Sequence, residues 1–427
     1  MLSRADFLAS SAAALTLPVL ASARGRRRRV RFGVNYVPSK NWWYSWSDWD
    51  AASIARDLDD IAALRADHIR IQLLWPYFQP NEHFVSAAQI ARLGWLLDAS
   101  HERDLDVEVT VLDGQLSGFL FTPAFLIDNQ NGRIRNFITD PHLLAVQKDL
   151  FTHLAAAIGS HPAFLGFDIA NEIYWFTQPL GVQYSPAQGD AWMNALLQHC
   201  RKAAPGRLHV NGVDKWPYES SAAQGFTRQA LAHAGGASCI HPWAGFGPVF
   251  QKDGPLSVQA THYAEFFLQY MQAFSPEGNR LLWIEEDGCS KQWVPQALIP
   301  RWAAASIGNA ASCANLFGIT WWCSHDVNPS LRGFNKLEYD LGLYTNDRVL
   351  KPLGRAFREI VAEFDDSPPH AVPRPHALVI EDTEGGDQAM PRFMRALGQG
   401  VRPQIVLRSR SGDAAYLKRR GIQTLLR

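Results

Sequence analysis

Several chemistries are excluded by what this sequence does not contain. There is no Gly-x-Ser-x-Gly, so the nucleophile elbow of a serine hydrolase is missing. There is no His-Glu-x-x-His and no Walker loop. Cysteine is scarce: Cys200, Cys239, Cys289, Cys313 and Cys323 make an odd count without a Cys-x-x-Cys pair. A metal site or a disulfide framework is therefore not expected, although one bridge remains open. Formal net charge is zero, so no strong field favours nucleic acid or an anionic membrane. The one local exception is the run Arg26-Arg27-Arg28-Arg29. No apolar run is long enough for stable membrane insertion. After the first expected strand, Asn35-Tyr36-Val37-Pro38-Ser39 stands where a dinucleotide-binding fold would carry a glycine-rich turn.

What is present is apolar bulk, at 47% of the residues, which suffices for a large core. Tryptophan is abundant, with 15 residues, and most of these are expected in that core. The cluster Trp42, Trp43, Tyr44, Trp46 and Trp49 lies in a polar, loop-like stretch. It reads instead as sugar binding, because an aromatic face stacks on the C–H face of a pyranose. Residues 1–23 read as a signal peptide: Arg4, an apolar run from Phe7 to Leu20, then the small-x-small Ala21-Ser22-Ala23. The expected location is therefore exported, periplasmic or secreted.

From residue 30 the chain alternates strand-like and helix-like segments. Strands are expected at Val30–Tyr36, His68–Trp75, Leu105–Leu112, Phe164–Ala170, Arg207–Val213, Ser238–Trp243, Arg280–Glu286 and Leu316–Cys323. Among the helices between them are Ala51–Leu64, Pro141–Ile158 and Val258–Ala273. Eight such repeats argue for an α/β fold, a (β/α)8 TIM barrel spanning residues 30–365. Residues 366–375 read as a proline-rich linker. Residues 376–427 read as a short C-terminal α/β extension, strand, helix, strand, helix, too small for a core of its own.

The fourth expected strand ends in Ala170-Asn171-Glu172, and the seventh in Glu285-Glu286-Asp287-Gly288. Strands four and seven face each other across a barrel mouth, and two carboxylates there are what glycoside hydrolysis requires. Arg70 shares a strand face with His68 and Gln72, so it points inward and needs a carboxylate partner. Pairing with Glu286 would hold that group ionised; Glu108 and Asp168 are the alternative partners. His241-Pro242-Trp243 ends strand six and Trp321-Trp322 ends strand eight. His241 is a candidate hydrogen-bonding group, Trp243 a subsite wall and Trp322 a floor for the sugar. Alternation along the seventh strand puts Leu282, Ile284 and Glu286 inside the barrel. Trp283 then faces the helices, and Glu285 a helix end or solvent.

These residues resemble the retaining glycoside hydrolases of clan A, and glycoside hydrolase family 5 in particular. Gly33-Val34-Asn35-Tyr36-Val37-Pro38-Ser39, Asp67-His68-Ile69-Arg70 and Leu74-Trp75-Pro76-Tyr77-Phe78-Gln79-Pro80-Asn81 resemble its bacterial β-mannosidase branch. The resemblance covers about residues 31–360. It implies Glu172 as acid/base and Glu286 as nucleophile. It implies Asn171 on the 2-hydroxyl, Arg70 bracing the nucleophile, His241 supporting the site and Trp322 flooring it; Trp243, Trp75 and Trp43 are further candidate substrate-binding residues. Two departures stand out. The family often has a His after strand three, where this chain has Leu112-Asp113-Gly114-Gln115, with Gln115 the substitute. After strand six the family commonly has His-x-Tyr, where this chain has His-x-Trp, so the Tyr that touches the nucleophile is missing. Asp287 also replaces a usual aromatic.

The resulting expectation is a retaining β-glycosidase acting from chain ends on short β-mannosides. The mannose-β-1,4-N-acetylglucosamine core of N-glycans is one such substrate. No metal and no organic cofactor are expected, and an oligosaccharide is the expected partner. The alternatives are an endo-β-1,4-mannanase or glucanase, and a catalytically inactive carbohydrate-binding barrel.

Overall fold

The computed structural model describes residues 30–220, 225–367 and 370–426. The expected signal peptide, residues 1–23, lies outside the described residues. Seven parallel strands form the main sheet: β1 (Arg31–Asn35), β2 (His68–Leu74), β3 (Asp106–Asp113), β4 (Phe164–Asp168), β5 (Ser238–Ile240), β6 (Leu282–Asp287) and β7 (Leu316–Trp321). Their order is β4-β3-β2-β1-β7-β6-β5. First and last strands in sequence are neighbours in the middle, so the sheet curls and brings β4 and β5 toward each other.

Helices α1 (Ala51–Ala63), α2 (Ala87–His101), α3 (Pro141–Ile158), α4 (Pro186–Ala203), α5 (Tyr263–Phe274), α6 (Ile299–Ala311) and α7 (Pro352–Asp366) pack against the strands. Their starts follow from local chemistry. Asp50 caps α1 by accepting from Ser53 N, and Asp140 caps α3 ahead of Pro141. Ser185 and Gln188 close a capping box on α4. On α1, Ile54, Leu58 and Ile61 recur at helical spacing and are buried. The expected helix Val258–Ala273 is broken at His262 into Val258–Thr261 and α5. The His262 ring there turns to the Glu265 carboxylate, 2.5 Å away.

The expected fifth strand, Arg207–Val213, is a correction. It forms only one isolated parallel bridge, Asp168 with Val210, and a second, Asp214 with His241, follows just after it. The segment still lies along β4: Leu208 N donates to Leu165 O and Val210 N to Phe167 O, each at 2.9 Å. Phe167 N–H, however, donates to the His209 ring at 3.1 Å rather than to a carbonyl. Burial pushes His209 down to about 4, so its ring is neutral and free to accept. A side chain has replaced one rung of the ladder. Gly166 makes the close approach possible, since a Cβ there would lie 1.8 Å from Leu208 O. Gly166→Ala is expected to destabilise the protein by roughly 1–3 kcal/mol, because backbone must move to admit the methyl. Chemical denaturation would measure it, and an unchanged midpoint would contradict the packing.

The seventh strand's expected register is also wrong. Trp283 lies inside the curled sheet, with Leu208, Val210 and Cys239, and its indole donates to Thr320 Oγ1 at 2.8 Å. Leu282 and Ile284 belong to the outer core shared with the helices. The cause is a bulge: Ile284 pairs with Ile319, but the next pair is Asp287 with Trp321. Alternation from the inward Trp283 already turns Glu285 inward, and the extra residue brings Glu286 inward as well.

After residue 370 a second parallel sheet forms from β8 (His376–Ile380), β9 (Gln404–Leu407) and β10 (Thr424–Leu426), in the order β9-β8-β10. The strand β10 was not expected. Helices α8 (Gly386–Gly398) and α9 (Ala414–Arg419) complete this unit. It is tied to α5: Arg374 and Arg402 reach the fully buried Glu265 at 2.6 and 3.4 Å, and Tyr270 donates to Glu384 O. All five cysteines are buried and none is in a disulfide.

Candidate active site

At the C-terminal ends of the main strands lies a cavity of 380 Å³. Its floor holds Asn171, Glu172, His241, Trp243, Glu286 and Trp322. Gln115, Leu116, Ser117, Leu337 and Glu338 form one wall. Trp175, Asp214, Lys215, Trp216 and Phe246 form the other. A larger cavity of 470 Å³ lies between Phe274, Leu407 and Arg410, beside the C-terminal unit. It gathers no carboxylate pair, so the smaller cavity is where chemistry is possible.

Glu172 and Glu286 meet as the sequence suggested. One oxygen of each lies within 4.8 Å of the other and of a His241 ring nitrogen. Glu172 caps the short helix Ile173–Thr177 in a left-handed conformation, φ 40°. That turn lifts its carboxylate from the end of β4 toward the cavity. Beneath them Arg70 is fully buried and serves several acids at once. Its Nη1 donates to Glu286 Oε1 at 2.5 Å, and its Nη2 to Asp168 Oδ2 at 2.8 Å and Asn171 Oδ1 at 2.9 Å. Its Nε lies 3.3 Å from Glu285 Oε1, an ion pair without hydrogen-bond alignment. Expected partners Glu286 and Asp168 are thus both engaged. Asn171 also donates to Gln115 O at 3.3 Å, which ties the floor to the wall.

His241 sits between the acids. Its Nδ1 is 2.7 Å from Glu172 Oε1 and its Nε2 is 3.3 Å from Glu285 Oε2. Burial alone would lower it, but Glu286, Glu172 and Glu285 push it up to about 10, so it carries a proton at neutral pH. Burial raises Glu286 above the ordinary carboxylate range, with Glu172 adding to this and His241 and Arg70 opposing it. Burial and the nearby Glu172 push Asp214 up to about 7.

The missing tyrosine has a replacement. Trp243 Nε1 donates to Glu286 Oε2 at 3.2 Å, so both oxygens of that carboxylate have donors. Gly288 makes room, since a Cβ there would meet the Trp243 ring at 3.0 Å and Trp322 O at 2.4 Å.

Two expected site residues are elsewhere. Trp75 is fully buried, donates to Gln79 Oε1 at 3.0 Å and packs on Phe125 and Phe137. It begins a helical turn after β2, which directs it into the core. Trp43 is buried among Phe119, Phe121 and Phe334 and does not line the cavity. With Trp42 and Trp46 it forms core, not a sugar platform; polar neighbours in sequence disguised a loop folded inward. Missed residues are Trp175, Asp214, Lys215, Trp216, Phe246 and Glu338. Asp214-Lys215-Trp216 directly follows the expected fifth strand, and that position was the available signal. Trp175 donates to Asp214 Oδ2 at 2.7 Å and meets the Trp216 ring edge-on.

Two groups of the described residues have metal-ligand spacing: Glu172-His241-Glu286 and Asp57-Asp60-His325. Protein cations already balance both. Arg70 and His241 serve the first; Arg348 binds Asp60 in the second, where Tyr36 donates to Asp57.

No protein-family model matches the chain, and no curated protein matches it. Solved structures do. A glutamate-to-alanine variant of GH5_18 from Streptomyces cattleya, in complex with Manβ1-4GlcNAc, is 36% identical, with TM-score 0.88. The match covers 93% of this chain and 98% of that one. A glutamate-to-alanine variant of GH5_18 from Bifidobacterium longum subsp. longum, also with Manβ1-4GlcNAc, is 30% identical over 93% and 95%, with TM-score 0.86. An exo-β-1,4-mannosidase from an Opitutaceae bacterium shares the fold at 20% identity and TM-score 0.71, over 88% of this chain and 69% of that one.

Proposed function

The chain belongs to subfamily 18 of glycoside hydrolase family 5, and from that membership and the site's geometry we propose that it is a retaining exo-β-mannosidase on a (β/α)8 barrel. The bridges of residues 210 and 214 to β4 and to His241 support barrel closure, with the segment 207–213 as the eighth stave. The barrel spans 30–365 and the extension 376–427; residues 1–23 direct export.

One observation carries the mechanism. One oxygen of Glu172 and one of Glu286 lie within 4.8 Å of each other, an approach that favours the ~5–5.5 Å carboxyl spacing of retaining enzymes over the ~6.5–9.5 Å of inverting ones. Glu172, on the side of Trp175 and Asp214, protonates the leaving oxygen, so the aglycone lies along that wall. Glu286, held by Arg70 and Trp243, attacks the anomeric carbon and forms a glycosyl ester. Glu172, then ionised, takes a proton from water, which releases the sugar. Asn171 is placed for the 2-hydroxyl and Trp322 for the sugar face.

The substrate reading rests on the Manβ1-4GlcNAc bound by the Streptomyces and Bifidobacterium relatives. Exo action rests on the wall opposite the aglycone. Trp42 donates to Ser117 Oγ at 3.2 Å and packs on Trp322, while Trp43 joins Phe119 to Phe334. Those loops lock together and end the cavity. With Manβ1-4GlcNAc, NMR is expected to show β-mannose first and mannose as the sole released hexose. An α-anomer appearing first would overturn retention. Rapid viscosity loss of mannan with mixed oligosaccharides would favour an endo enzyme.

A further inference from the structure

Glu285 is a fully buried glutamate beside the proposed nucleophile, and the reaction as described does not use it. It shares the inward strand face with Trp283, and Asn35 fixes its backbone by donating to Glu285 O at 3.0 Å. Its two oxygens face two cations, Arg70 Nε and His241 Nε2, each at 3.3 Å. Those same cations touch the acids above: Arg70 reaches Glu286, and His241 reaches Glu172. The site is therefore built in three tiers, with one carboxylate beneath, two cations in the middle and two carboxylates at the cavity.

We propose that Glu285 is a positioning residue that holds the His241 ring from below with its Nδ1–H directed at Glu172, and so sets the pH dependence of the acid/base step. This deepens the reading of Glu172 as acid/base and rests on it.

The surrounding groups leave Glu285 as the anion for this task. Around it stand Arg70, Glu108, Asp168, Cys239 and His241; around His241 stand Glu172, Glu286 and Asp214. Burial raises Glu108 well above the carboxylate range, with Glu285 adding to this, which favours its neutral form. Burial and Glu285 push Asp168 up to about 7. Glu285 itself goes the other way: burial opposes its charge, but Arg70 and His241 hold it down to about 2. The charges of Glu172 and Glu286 change during turnover, whereas that of Glu285 does not. A cation resting on Glu285 stays charged when Glu286 becomes an ester.

The sign of the effect separates this role from a merely structural one. An imidazolium donating to the acid/base carboxylate stabilises negative charge there, so the alkaline limb of kcat/KM lies lower than it would beside a neutral ring. In Glu285→Gln the ring loses its fixed counter-charge and releases its proton more readily. Neutral His241 no longer favours ionised Glu172, so the alkaline limb of kcat/KM is expected to move up, by about one pH unit. If His241 stays charged in the variant, the site has gained net positive charge and the limb moves down; a downward or absent shift overturns the proposal. Glu285→Asp keeps the charge and is expected to keep the limb near its original place.

A direct readout needs neither substrate nor a Glu285 variant. In 15N-histidine-labelled full-length protein, with His241 assigned by loss of its signals in His241→Gln, both ring nitrogens are expected to be protonated at pH 8. A neutral ring at pH 8 overturns the proposal even where Glu285→Gln does not fold. Failure of the chain to cleave β-mannosides, with an imidazolium still observed, would count against the substrate reading alone.

Discussion

Glu286→Ala is expected to lose on the order of 10⁵-fold in kcat on an aryl β-mannoside, and azide is expected to restore turnover. With the carboxylate gone, a small anion can occupy the space between Arg70 and Trp243 and attack the anomeric carbon. The product is then α-mannosyl azide, of inverted configuration, because the azide enters where Glu286 did. The neighbouring glutamate supplies the control. Glu285 is turned inward and is fully buried, but it lies beneath Arg70 and His241 rather than on the cavity floor. Glu285→Gln should therefore yield no mannosyl azide. An azide adduct from a Glu285 variant, with Glu286→Ala still active without azide, would reverse the assignment.

Glu172→Ala is the second large effect, and it depends on the leaving group. With Manβ1-4GlcNAc, whose departing alkoxide needs a proton, activity should fall by roughly 10²–10⁴-fold. With a dinitrophenyl mannoside the leaving group departs unaided, so the first step survives and the glycosyl-enzyme accumulates as a burst. Azide then attacks that intermediate from the side Glu172 had guarded, giving β-mannosyl azide. Equal losses on both substrates would remove Glu172 from the acid role.

Much of this was legible in the sequence because periodicity and capping are local. Helix α3 is found at its expected bounds, Pro141–Ile158, where Asp140 and Pro141 mark the start. The two carboxylates were legible because a polar pair closing an apolar strand is conspicuous. The bulge was not. Strict alternation places Trp283 among the helices, and only the paired strand shows that three residues, 285–287, occupy the place of two on β7. The fifth strand was misread for a related reason: its composition suits a strand, but the His209 ring takes a hydrogen bond a carbonyl would have accepted. Trp43 and Trp75 could not be told from site aromatics, since whether a loop tryptophan faces a cavity or a core depends on distant phenylalanines. Trp243 shows the converse. A substitution that looked like a lost contact kept a donor on Glu286, because Gly288 lets the larger ring approach.

The ion pairs on Glu265 bear on how the chain comes to be made. Glu265 is fully enclosed in α5, yet two of its cationic partners, Arg374 and Arg402, belong to the far end of the polypeptide. A ribosome delivers residue 374 109 residues after residue 265. At roughly 5–20 residues per second that is a delay of about 5–20 s, and longer for Arg402. Until then Glu265 has only His262 beside it, and sealing the carboxylate away from water would leave it without its arginines. The α5 flank of the main sheet is therefore expected to stay hydrated while the rest of the fold is already collapsing. Its final closure is a late event, completed only when nearly the whole chain has been synthesised.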